Sequence, residues 1–115
     1  MKLLFTAIPV LGLAILLGIY LSSLVFRKKS TPKGITIIHG FLAAISLILI
    51  IIYCVGNSPG PWVSLLVFIL TASSGILLNY RDITGKSVPK WLTATHGSLA
   101  LIGYCLLIWF AISSN

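Results

Sequence analysis

K-S-T-P-K-G-I-T-I-I-H-G-F-L-A fills Lys29 to Ala43, and K-S-V-P-K-W-L-T-A-T-H-G-S-L-A fills Lys86 to Ala100. The two strings align without a gap at an offset of 57, and nine of the fifteen positions are identical. The only two histidines of the chain, His39 and His96, fall at equivalent places. Each string opens in a basic, proline-bearing segment and runs on into apolar residues. The repeat unit is therefore a helical hairpin: span, basic loop, span.

The 115 residues are 58% hydrophobic and 8% charged. A soluble domain carries roughly a quarter charged residues, so this composition does not cover a water-facing surface. A bilayer span needs about 20 mostly apolar residues. Four such stretches fit: about Leu3 to Phe26, Ile35 to Val55, Trp62 to Tyr80 and Val88 to Ile112. Lipid offers no partner for open backbone groups, and strand alternation is absent, so the spans are expected to be helices. The fold expected is an all-α, integral membrane four-helix bundle. It is a single transmembrane domain over 1–115, with repeat 1 at about 1–56 and repeat 2 at about 61–115. Both hairpins have the same orientation, which predicts a pseudo-twofold along the membrane normal. The first stretch is too long for a signal-peptide core and ends in Arg27-Lys28-Lys29, so it reads as a retained span.

The net charge of +7 is concentrated in two connections. Arg27, Lys28, Lys29 and Lys33 follow the first span. Arg81, Lys86 and Lys90 follow the third, beside Asp82, the only acidic residue. The middle connection, Gly56 to Pro61, is uncharged and rich in turn formers. The positive-inside rule puts both basic loops in the cytoplasm and both termini outside, as in a bacterial inner membrane. Nothing resembles a nucleic-acid reading helix or stacking platform, so the expected partner of these cations is the lipid bilayer. Gly12, Ala14 and Gly18 offer small surfaces for self-association, as an oligomer or within a larger complex.

Ionisable side chains inside a span mark functional sites. His39 and His96 lie six residues beyond Lys33 and Lys90, roughly 9 Å into their helices at the same expected depth. Two neutral imidazoles on parallel helices suit the two axial positions of a haem iron. Gly40 and Gly97 follow the histidines, and Gly18 and Gly75 lie on the adjacent spans. Glycine there gives either clearance for a flat ligand or close helix packing. Thr36 and Thr93, one turn before each histidine, either hold the second imidazole N–H or bond their own backbone. Lys33 and Lys90 are placed to meet the acidic groups of a haem or to anchor the topology.

This layout resembles small membrane b-type cytochromes, the four-helix core of the cytochrome b family and the cytochrome b561-like bundles. The resemblance implies that His39 and His96 ligate the metal of one haem b per chain, and that Gly18 and Gly75 make space for it. Two-haem relatives carry a second histidine about four turns further on. Here those positions are Tyr53 and Phe110, so a single haem is expected. The expected function is electron exchange with a quinone, an oxygen species or a redox protein, as an electron carrier or oxidoreductase. A proton or transition-metal transporter and a non-catalytic assembly protein are the alternatives. No carboxylate pair, phosphate loop or GxSxG string supports hydrolytic, phosphoryl or acyl transfer chemistry. Cys54 and Cys105 have no metal-ligand spacing and read as small buried hydrophobes.

Overall fold

The computed structural model describes residues 1–114. They form four helices, α1 (Lys2–Phe26), α2 (Lys33–Gly56), α3 (Trp62–Ile83) and α4 (Lys90–Ser113). All four are long and apolar enough to cross a membrane. Their outward faces remain hydrocarbon: Ile37, Phe41, Val55, Ile76, Trp91 and Trp109 are all well exposed. An apolar surface of that extent marks a face that meets lipid or another protein.

The helix ends follow from local chemistry. Pro32 and Pro89 take the N-cap positions of α2 and α4 in extended backbone. Proline lacks a donor and restrains the residue before it to extended geometry, so Val88 is excluded from α4. α4 thus starts two residues later than the hydrophobic pattern suggests, and α2 two residues earlier, at Lys33. α1 and α3 each close in a Schellman turn. Lys28 and Gly85 adopt left-handed φ values of 57° and 75°. The next amides, of Lys29 and Lys86, reach back to the carbonyls of Leu24 and Arg81 at 2.8 and 2.9 Å. The two turns are 57 positions apart, so the repeat extends to loop geometry. The helical ladder of α3 continues to this exit. Arg81 and Asp82, expected in the connection, therefore stand in the last turn of α3.

α1 packs along α2 and α4, and α3 packs along α4, while α2 and α3 touch at few points. The backbones of the diagonal pair α2 and α4, which carry the histidines, do not approach each other. Packing is also uneven along the bundle. The core cluster, including Leu4, Ala7, Leu11, Ile50, Tyr53, Cys54, Leu65, Phe68 and Leu107, fills the half that holds the termini and the 57–61 turn. The other half, next to the basic loops, is hollow.

Candidate functional site

The hollow half is a cavity of about 990 Å³ between all four helices. This is the upper end of the range for small-molecule and cofactor sites, about 300–1,000 Å³. His39, His96, Gly18, Gly75, Gly40, Gly97, Thr36 and Thr93 all line it. Lys33 and Lys90 do not; they stand at the basic end. The sequence repeat therefore brings eight of its ten candidate residues into one chamber.

The imidazole rings of His39 and His96 approach across the bundle diagonal, 6.3 Å between centroids and at 78° to one another. His39 Nδ1 lies 2.7 Å from the carbonyl oxygen of Ala14, and His96 Nδ1 lies 2.8 Å from that of Thr71. A carbonyl only accepts, so each Nδ1 carries the proton and donates. Each Nε2 is then left with its lone pair, the tautomer a metal requires. Ala14 and Thr71 are again 57 positions apart. The pair is not fully symmetric, because Ser74 Oγ also lies 3.1 Å from His96 Nδ1 and donates to Thr71 O at 2.8 Å. Its counterpart in the first repeat is Leu17.

The carbonyl partners displace the threonines from the role considered for them. Thr36 Oγ1 and Thr93 Oγ1 donate to Pro32 O and Pro89 O, one turn back on their own helices. The reason is reach: a threonine one turn below the histidine closes on its own backbone. Ala14 and Thr71 carry no side-chain signal for this function. Their equivalence under the 57-residue offset, one turn before Gly18 and Gly75, is the only trace in the sequence.

The glycines divide into two kinds. A Cβ on Gly18 would sit 2.9 Å from His39 Cε1, and one on Gly75 2.8 Å from His96 Cε1. These glycines therefore make room for the imidazoles themselves, whereas the resemblance assigned that room to the ligand. A Cβ on Gly40 or Gly97 would meet nothing within 4 Å. These two do not serve helix packing and instead open onto the cavity.

Two imidazoles binding one ion from opposite sides, with bonds of about 2.0 Å, have ring centres about 6.3 Å apart. The observed spacing is of that size. Among the described residues no group of three or more His, Cys, Asp or Glu side chains comes together, so a bare tetrahedral zinc ion would be short of ligands. At the positions equivalent to a second histidine pair, Tyr53 and Phe110 pack edge to face, 6.2 Å between centroids. Cys54 is buried, Cys105 is exposed, and both are free thiols. The chain matches no protein-family model, no curated protein and no solved structure.

Proposed function

We propose that the chain is an integral membrane b-type cytochrome that holds one haem b between His39 and His96. The observation that carries this reading is the histidine pair itself. Two imidazoles with free Nε2 lone pairs lie 6.3 Å apart between centroids, in a largely apolar cavity large enough for a cofactor. The two hairpins are read as repeats about an axis along the membrane normal. The shared offset of the histidines, their carbonyl partners, the glycines beneath them and the loop turns supports this. The basic loops are placed in the cytoplasm, with both termini outside, in a bacterial inner membrane.

Each residue has a definable part. His39 and His96 supply the ligating nitrogens. Ala14 O and Thr71 O fix ring orientation and tautomer and raise the basicity of the ligands. Gly18 and Gly75 let the rings lie against α1 and α3. Gly40 and Gly97 follow the ligands on the cavity wall, where an added Cβ meets nothing within 4 Å. Bound haem supplies one-electron redox chemistry, and the protein sets its potential through ligands, burial and nearby charge. Lys33 is held by Asp82 at 2.8 Å, so its ammonium is not free for an acidic group of the ligand. The packed half, closed by Tyr53 and Phe110, leaves one redox centre near the basic side. That suits exchange with a quinone, an oxygen species or a redox protein at that side, not a complete transmembrane relay.

The test is an absorption spectrum of protein expressed with ample haem, oxidised and then reduced. A Soret band with sharp low-spin bands on reduction is expected. His39→Gln and His96→Gln should each abolish the low-spin form while the chain still folds. Wild-type protein without bound haem, or either variant retaining the wild-type spectrum, removes the proposal.

A further inference from the structure

We propose that the basic end of the bundle carries a built site for the phosphate of an anionic phospholipid headgroup, formed by Lys28, Lys29, Lys90 and Ser87. The argument starts from the other cations of this end. Arg27 Nε donates to Ser23 O at 3.2 Å, turning the guanidinium back along α1. Arg81 Nε donates to Ser87 O at 2.7 Å, within its own hairpin. Lys86 Nζ stands over the Tyr80 ring, 5.3 Å from its centroid. Lys33 Nζ is bound by Asp82 Oδ2 at 2.8 Å. Among the described residues, the three remaining cations of this end are Lys28, Lys29 and Lys90. All three line a single pocket of about 370 Å³, together with Ser87 and Thr31.

The only carboxylate on that pocket is already committed. Asp82 Oδ2 accepts from both Lys33 and the Thr31 hydroxyl, the latter at 2.7 Å. Asp82 has no counterpart in the first repeat, where Val25 stands. It therefore neutralises one member of the Lys33–Lys90 pair and leaves Lys90 without a carboxylate partner on a pocket that Lys28 and Lys29 also line. Three exposed cations lining one pocket raise the local positive potential and favour an anion there.

Lys28 adds an independent sign. It occupies the left-handed position of its Schellman turn, where the second repeat has Gly85. A non-glycine residue there costs of the order of 1 kcal/mol. Lysine at that position puts a cationic residue on the pocket lining at the expense of backbone ease, and such outliers gather at functional sites.

The pocket's position selects the occupant. It lies between the loop ends of helices long enough to cross the hydrocarbon, hence at headgroup level. Val25 and Val88 belong both to this pocket and to the apolar cavity. An occupant with a phosphate and acyl chains meets cations at one end and hydrocarbon at the other. A free phosphate ion would use only half of this surface.

The experiment is native mass spectrometry of the full chain released from detergent, with phosphatidylglycerol or phosphatidylcholine of identical acyl chains added. Preferential retention of phosphatidylglycerol is expected. The preference should fall about fivefold for each pocket lysine removed, in Lys28→Gly and Lys90→Gln. Lys86→Gln removes the same charge outside the pocket and should lower the preference distinctly less. Lys28→Gly relieves the left-handed backbone, so its melting temperature should not drop and unfolding does not explain a loss. Equal effects of Lys86→Gln and Lys28→Gly would mean diffuse charge and overturn the site. Equal retention of the two lipids, or displacement of phosphatidylglycerol by millimolar inorganic phosphate, would overturn the headgroup assignment.

Discussion

Adding one methyl group at Gly18 or Gly75 should unseat a histidine that is not itself substituted. The new Cβ would stand 2.9 Å from His39 Cε1 or 2.8 Å from His96 Cε1. Ordinary carbon–carbon contact is about 3.5–4.0 Å, so the ring must retreat by roughly 0.6–1.2 Å. The Nδ1 bonds to Ala14 O and Thr71 O, now 2.7 and 2.8 Å, would stretch past normal hydrogen-bond length. Losing such a bond costs about 0.5–1.5 kcal/mol. The displacement also exceeds the roughly 0.2 Å that a metal–ligand distance tolerates. Gly18→Ala and Gly75→Ala should therefore each lower haem occupancy at least tenfold and convert residual haem to a high-spin, five-coordinate spectrum. The internal control lies one residue beyond each histidine. Gly40→Ala and Gly97→Ala meet open space, and in haem-free protein each should stabilise its helix by up to about 1 kcal/mol. Haem titration followed by Soret absorbance, with thermal melting in detergent, separates the four variants. Full low-spin haem in Gly18→Ala or Gly75→Ala would refute the packing argument. Loss of haem in all four would shift the cause from the rings to the size of the cavity.

Three further outcomes are expected. Tyr53→His with Phe110→His recreates a second histidine pair in the packed half, where Leu4, Ile50 and Leu107 are fully buried. With no cavity there, pyridine haemochrome assay should still give one haem per chain; two would show that the packed half yields. Tyr104 Oη donates to Ile8 O at 3.0 Å, and a Cβ on Gly12 would lie 2.8 Å from that hydroxyl. Tyr104→Phe should cost about 0.5–1.5 kcal/mol, and Gly12→Ala should be tolerated better in its presence, a coupling read from a double-mutant cycle of melting curves. Asp82→Asn removes an ion pair whose lysine is half exposed, so the loss should stay below about 1 kcal/mol and vanish near 1 M salt. A larger, salt-independent loss would mean that Asp82 does more than join α3 to the first hairpin.

The sequence by itself determined the element count, the spans to within a few residues, and the equivalence of His39 and His96. Those properties depend on composition and order, which hydrocarbon content and a gapless repeat display directly. The errors it allowed were local. Arg81 and Asp82 read as loop because charge was taken as the end of the span, but a helix ends where its carbonyls find an exit, here the left-handed turn at Gly85.

Only the tertiary structure decided what surrounds the histidines. Ala14 and Thr71 contribute backbone carbonyls, which every residue has, so no side chain announces them. The packing of the helices against one another decided that one half of the bundle is filled and the other stays open. It also decided that Gly18 and Gly75 touch imidazole while Gly40 and Gly97 face empty space. Likewise, a count of seven lysines and arginines around two loops does not say which are satisfied; that depends on Asp82 reaching Lys33 from the second hairpin and on how the α3–α4 connection brings Tyr80 to Lys86 and Ser87 to Arg81. The physical reason is common to all of these. Hydrophobicity and periodicity are properties of one segment, whereas cavities, shared acceptors and unpaired charges are relations between segments that exist only after they meet.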